Sequence, residues 1–258
     1  MSLTNQHKSQ IRQIIIDSLR DIFKNYNPEP VSMPFHFRLL GKDRMALYSF
    51  IHSLITKFGT SIFDSVAKSL AQLNFAYAES QKKIGTKISS EAQRVIHNIM
   101  DNLSNASVTP NKPEEIQAIR AVCQQGEMKT VNPTKITLKL TGFDNTIYLI
   151  DIKTAKPHSI VTKEFKRTLL EWIAATLATN PTANVQTLIA IPYNPYEPQP
   201  YNRWTMRGML DLEHELKVAE EFWDFLGGKG TYIDLLDCFE TAGIELRPEI
   251  DVYFRQFT

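Results

Sequence analysis

Hydrophobic positions along the chain fall into two regimes that meet near residue 125. Before that point the spacing is helical. Residues 5–26 place Ile11, Ile14, Ile15, Leu19, Ile22 and Phe23 at intervals of three and four, the mark of a helix with one apolar face. Asn27-Pro28-Glu29-Pro30 ends it, because proline lacks the N–H and clashes with the preceding turn. A loop-like stretch from Met33 leads into a second helix between Asp43, a suitable N-cap, and Gly59, a suitable C-cap. Residues 61–81 continue as helix on Ile62, Val66, Leu70, Leu73 and Phe75. Ser89 or Ser90 caps a helix over 91–103, and Pro113 opens another over 114–123.

Beyond 125 the period shortens to two. Residues 127–131 suit a short strand. In 134–141, Ile136, Leu138 and Leu140 share one face while Thr137, Lys139 and Thr141 share the other. Gly142 to Asn145 is turn chemistry. Ile147, Tyr148, Leu149 and Ile150 are apolar on both faces, as in a buried central strand. A three-residue loop over 143–145 pairs Thr137 with Asp151, and a four-residue loop shifts that register by one. Residues 163–179 are helical, with Thr162 as cap, and 185–192 form a second apolar strand. Strand, helix and strand make a crossover unit with parallel pairing. From Glu114 the order is therefore helix, three strands, helix, strand. An extended aromatic loop follows, with Pro195, Pro198 and Pro200 among Tyr193, Tyr196, Tyr201 and Trp204. It lies at the carboxyl end of a parallel strand, where sites of open α/β sheets gather. Helices over 212–225, 232–242 and 248–257 complete the chain. The expected class is α/β: a mainly helical part over 1–112, then a mixed-sheet core with a C-terminal helical region over 113–258, in one compact unit.

Composition narrows the classes. The 258 residues carry a net charge of +1, so a nucleic-acid partner must be argued from local clusters. Cys123 and Cys238 make no framework, which suits a reducing cytoplasm. No apolar run approaches the ~18 residues a membrane span needs, and the first ten residues lack the layout of a signal peptide. The six histidines show no HxxxH spacing, so zinc has no local support. His214, between Glu213 and Glu215, fits a solvated helix face. There is no GxSxG elbow, and Gly227 to Gly230 lacks the spacing of a phosphate loop.

The chemistry that remains is Asp151-Ile152-Lys153, where one carboxylate and one ammonium leave the same face of a strand end. A carboxylate there can hold a divalent cation, and the lysine can position a water or stabilise a developing anion. Asp-x-Lys occurs by chance in most chains of this size. The setting raises its standing, because charges ending a buried strand are expensive to desolvate. Arg38, Lys42 and Arg44 cluster before the second helix, as a solvated loop or a phosphate contact. His158 follows the Asp-x-Lys closely enough to reach a phosphate.

Helix, three strands, helix, strand, with Asp-x-Lys ending the third strand, resembles the core of the PD-(D/E)xK nuclease superfamily. The stretches MPFHFRLLGKDRMALYSFIHSL, CQQGEMKT, IYLIDIKTAKP, EFKRTLLEW and IAIPYNPYEPQPYNRWTMRGM further resemble the TdeIII group of type II restriction endonucleases, from about Met33 to Tyr253. The resemblance implies Mg²⁺-dependent hydrolysis of double-stranded DNA at a short palindrome of the GGNCC type. It also implies a homodimer, and a cognate methyltransferase acting on the same site without binding this chain. It makes Asp151 a metal-binding carboxylate and Lys153 the catalytic lysine. The superfamily's first carboxylate falls where this chain has Thr137. Three readings stay open: Glu127 reaches in as the other metal ligand, which we take as the expectation; Asp144 does so from the turn; or the chain is a weakened or silent variant. Arg203 and Arg207 would read guanine, and Asn194 and Asn202 adenine or backbone. Arg38, Lys42 and Arg44 would position phosphates, with Lys163, Lys166 and Arg167 behind them. The competing functions are a silent DNA-binding protein on the nuclease fold and a structure-selective repair nuclease.

Overall fold

The strand that ends in Asp151 and Ile152 lies at the centre of the main sheet. The structure is a computed structural model that describes residues 3–26, 33–131, 135–153, 159–202 and 206–255. It divides into two units, Met1–Ser69 with Gly228–Thr258, and Leu70–Gly227.

In the first unit, α1 (Asn5–Asn25) packs along α9 (Thr231–Phe254). Asp234 accepts from the Leu3 N–H at 2.6 Å and from Lys8 Nζ at 2.5 Å, and Arg20 meets Glu249 at 2.6 Å. The rings of Phe23 and Tyr253 stack, and that of Phe50 packs tilted against both. α9 runs through Gly243 and Pro248, where the sequence predicts a break. Pro248 costs about 3 kcal/mol of helix propensity. The apolar face Leu235, Cys238, Ala242 and Leu246 on one side of it and the Glu249 ion pair on the other hold the helix together. The loop expected at Met33 is instead a short helix, α2 (Pro34–Leu40), with Pro34 in its first turn. Gly41, at φ 89°, turns the chain into α3 (Lys42–Lys57), and a π-helical turn, Phe58–Ile62, passes it on to α4 (Phe63–Asn74).

The second unit is a sheet with helices. α4 stops at Asn74, and the polar run Tyr77–Lys83 is strand β1, not the end of a helix as predicted. The helical apolar repeat is exhausted there, and pairing with a later strand satisfies the backbone instead. β2 (Lys87–Ser89) follows, then α5 (Ser90–Ser104), whose cap is the Ser89 hydroxyl accepting from the Ala92 N–H, and α6 (Lys112–Val122). β3 (Met128–Thr130) pairs only with β2, as a two-stranded sheet. The main sheet therefore takes its first strand from before α6, where the sequence reading places it after. β4 (Lys135–Thr141), β5 (Ile147–Ile152) and β6 (Val185–Ile191) appear as expected, α7 (Ser159–Thr179) begins before Thr162, the cap expected for it, and β5 and β6 are parallel. The predicted helix at 212 is instead a turn and β7 (Leu216–Val218), with α8 (Glu220–Gly227) after it. Leu216 and Val218 alternate around Lys217, and the exposed edge of β6 pairs with them, Ile189 N–H to Glu215 O at 2.9 Å. The sheet order is β1-β4-β5-β6-β7, antiparallel as far as β5 and parallel from there. This mixed sheet flanked by helices is the α/β nuclease type of fold that the sequence predicts.

Candidate active site

Register decides which side chains meet. Leu138 pairs with Ile150, so Thr137 and Asp151 come next on adjacent strands, as the three-residue loop predicts. The regular ladder stops there. The Thr137 hydroxyl takes over, accepting from the Ile152 N–H at 3.3 Å and donating to Asp151 Oδ1 at 3.1 Å. Lys153 places Nζ 2.8 Å from Asp151 Oδ2 and 5.1 Å from the centre of the Phe165 ring on α7. Its backbone N–H stays on β6, bonded to Ala190 O at 2.9 Å. The lysine is thus pinned on three sides.

Asp151 is buried and Lys153 half-buried. Burial pushes the Asp151 carboxyl above the ordinary carboxylate range, and the charge and hydrogen bond of Lys153 with the bond from Thr137 pull it only part of the way back. The ionised carboxylate is therefore held at a cost, which a cation in place of bulk water would relieve.

The other sequence-predicted residues are dispersed. Glu127 precedes β3 with an exposed side chain, its N–H on the Ser90 hydroxyl at 3.1 Å. Asp144 caps the β4–β5 turn, accepting from Thr146 N–H and Oγ1, at the opposite end of the hairpin from Asp151. Arg38, Lys42 and Arg44 are exposed on α2 and at the start of α3, in the first unit. Asn194 is occupied within its loop, donating to Gln199 O at 2.7 Å and accepting from the Tyr196 N–H at 3.0 Å. Asn202 and Arg207 are exposed. Arg203 and His158 lie outside the described residues. His214 sits in a turn, with Nδ1 2.9 Å from Asp211 Oδ2.

Lys166 corrects an expectation. It is fully buried and bonded at 2.6 Å to both Glu115 and Glu215, so it cannot face DNA. Lys112, equally buried, meets Glu215 at 2.5 Å. Sequence reading missed this four-charge cluster, although one signal was present. Lys166 falls on the same helical stripe as Leu169, Leu170 and Ile173, all buried, and a lysine on a core stripe needs a buried partner.

A strand-end carboxylate and lysine on a mixed sheet can bind a cation and hold a water against a phosphate. Residues 3–243 match the family described as "Type II restriction endonuclease, HinfI". The chain is 24% identical over 221 residues to the type II restriction enzyme HgiCII of Herpetosiphon aurantiacus, covering 84% of this chain and 80% of that one. It is 23% identical over 244 residues to HgiBI of the same organism, covering 90% and 87%. The resemblance to type II restriction endonucleases thus extends over nearly the whole sequence that carries the Asp151–Lys153 pair, and the chain belongs to the HinfI family of these enzymes.

Proposed function

We propose that this chain is a Mg²⁺-dependent, site-specific DNA endonuclease acting at a short palindrome of the GGNCC type. The observation that supports the reading is the contact set of Thr137, Asp151 and Lys153 at the end of β5. Mg²⁺ keeps several waters and takes one or two carboxylates plus substrate phosphate oxygens. One desolvated carboxylate fits that sparse demand. Among the described residues no group of three or more His, Cys, Asp or Glu side chains is arranged to hold a metal without such help. Asp151 would hold the ion, with Glu127 as the second carboxylate assigned from the sequence. When bound, the ion neutralises phosphate charge and acidifies a water.

The chain's own residues do the rest. Lys153, fixed by Asp151 and Phe165, orients the attacking water or meets the charge growing on the pentacovalent phosphorus. The water attacks in line and gives up a proton to solvent, the bond to the 3′ oxygen breaks, and that oxygen takes up a proton from solvent. Arg38, Lys42 and Arg44 position backbone, and Asn202 and Arg207 lie on the loop after β6 for base contacts. A palindrome cut on both strands needs two such strand ends, hence a two-fold dimer. The exposed apolar side chains Phe35, Leu39, Leu47, Tyr48, Ile51 and Ile55 on α2 and α3 form the surface we assign to the second copy.

The test is a plasmid digest with wild type and Lys153→Ala, each with Mg²⁺ or EDTA. Discrete Mg²⁺-dependent fragments that the substitution abolishes support the reading, and a smear points to a structure-selective nuclease. Thr137, in place of a carboxylate, favours one second reading: a silent DNA-binding protein. Wild type that binds duplex in a gel shift without cutting it would establish that instead.

A further inference from the structure

The β1–β4 pair carries its charges unevenly. Glu79 lies directly opposite Lys139, and the same carboxylate meets Lys82 at 3.0 Å. Two positions further along β1 from Lys82's neighbour Gln81, the pattern reverses. Lys83 lies directly opposite Lys135. Directly opposed residues hold their Cβ atoms roughly 5 Å apart on one face, and like charges so placed destabilise a sheet. Both lysines are exposed, and neither makes an ion pair among the described residues. Nothing in the fold accounts for that pairing.

Its position does. Lys135 is two residues before Thr137, so both leave the same face of β4. The opposite face, Ile136, Leu138 and Leu140, is fully buried. The lysine pair therefore stands on the open face, about 7 Å along the strand from the threonine that touches Asp151. The chain beside it is closely packed. Just beyond Lys83, a Cβ added at Gly85 would come within 3.2 Å of both the Cβ and the carbonyl oxygen of Ala175, so the chain is pressed onto α7. The Val131 N–H then bonds to Thr86 O at 2.8 Å, and β2 and β3 carry the two-stranded pairing onward, with Lys87 exposed.

We propose that Lys83 and Lys135 form a phosphate-binding pair that grips the DNA backbone next to the phosphodiester addressed by Asp151 and Lys153. The assignment rests on the endonuclease reading above. DNA carries closely spaced charges along each strand, so a separation of about 7 Å reaches a neighbouring phosphate of the same strand. Lysine ammonium groups act there as point charges that position the duplex without reading sequence.

The experiment measures anisotropy of a fluorescein-labelled, mixed-sequence duplex of about 30 base pairs in EDTA, over a range of NaCl concentrations. The proteins are wild type, Lys83→Gln, Lys135→Gln, the double variant and Lys229→Gln, an exposed lysine outside the pair. Each lysine of the pair should contribute about 0.9 to the slope of log affinity against log salt, or roughly eightfold in affinity near 0.1 M salt. Lys229→Gln should change neither. Melting temperatures of the pair variants should stay level or rise, because a repulsion is removed. A double variant whose slope equals that of wild type overturns the proposal alone. Wild type without salt-dependent DNA binding overturns it together with the endonuclease reading. In a parallel digest with Mg²⁺, a changed cleavage site in either single variant would also overturn it, since a backbone contact carries no sequence preference.

Discussion

The buried four-charge cluster of the second unit allows a stringent test. Glu215 accepts Lys112 Nζ at 2.5 Å, Lys166 Nζ at 2.6 Å and the Asp211 N–H at 2.9 Å, while Glu115 takes a second bond from Lys166. Burial alone would push the Glu215 carboxyl up, but the two ammonium groups outweigh it and hold the group below the ordinary carboxylate range. Two positive and two negative charges balance. Glu215→Gln leaves two buried lysines facing one carboxylate. Breaking a buried pair in this way costs about 3–5 kcal/mol, or a melting shift of roughly 6–20 °C for a domain of this size. The assay is urea unfolding followed by the fluorescence of Trp172 and Trp223, both buried in the same unit. The loss should shrink at alkaline pH. Burial already holds Lys112 below the ordinary lysine range, so there the native variant binds fewer protons than the unfolded chain, and stability rises with pH. Glu215→Gln with Lys112→Met restores one positive and one negative charge, so the double variant should lose clearly less than the sum of the two singles. A loss below about 1 kcal/mol for Glu215→Gln, or strict additivity in the double variant, would refute the electrostatic account.

Three further outcomes follow from the site and the surface. Asp151→Asn should raise the melting temperature near neutral pH. The native carboxyl sits above the ordinary range, so the folded state binds more protons than the unfolded one between the two pKa values and stability falls as pH rises through them; a calorimetric scan at pH 7 showing a lower melting temperature would contradict this. Thr137→Val should cost about 1–3 kcal/mol, because it strands the Ile152 N–H and removes a donor from Asp151, and amide exchange at Ile152 should accelerate; unchanged exchange would show that the hydroxyl does not close the ladder. Leu39→Glu with Ile55→Glu should convert a dimer to a monomer in sedimentation velocity, and a dimer that survives both places the interface elsewhere.

The parts of the fold legible in the sequence are those where one period dominates a long run. β4 alternates strictly and β5 is apolar over its first four residues, so their hairpin, its register and the parallel crossover to β6 could be read directly. The failures share a physical cause, which is pairing decided by distant chain. Tyr77–Lys83 has no strand pattern of its own and becomes a strand because β4 offers an edge. Met128–Thr130 looks as strand-like as its neighbours yet pairs with β2. Leu216–Val218 is too short to outweigh the helical signal around it until β6 supplies a partner. Pro248 is a strong local stop that the packing against α1 overrides.

The same contrast runs through the site. Asp151 and Lys153 were legible because two residues on one strand fix their own geometry. Lys83 opposite Lys135 was not, since β1 itself was read as helix. Thr137 is the instructive case. From sequence it marks only a missing carboxylate, yet in the structure its hydroxyl does what a carboxylate could not. It donates to Asp151 and accepts from the Ile152 N–H at once. An ionised aspartate there could accept that N–H but would set a second negative charge against a buried carboxylate already held above its ordinary range, tolerable only with a cation between them. Threonine thus lets this strand end close without a metal. A cation that binds here must draw its remaining negative ligands from elsewhere, and the DNA phosphate is the one ligand every productive complex brings. Metal and DNA titrations should then each tighten the other at this site, each ligand supplying part of the charge that the other requires.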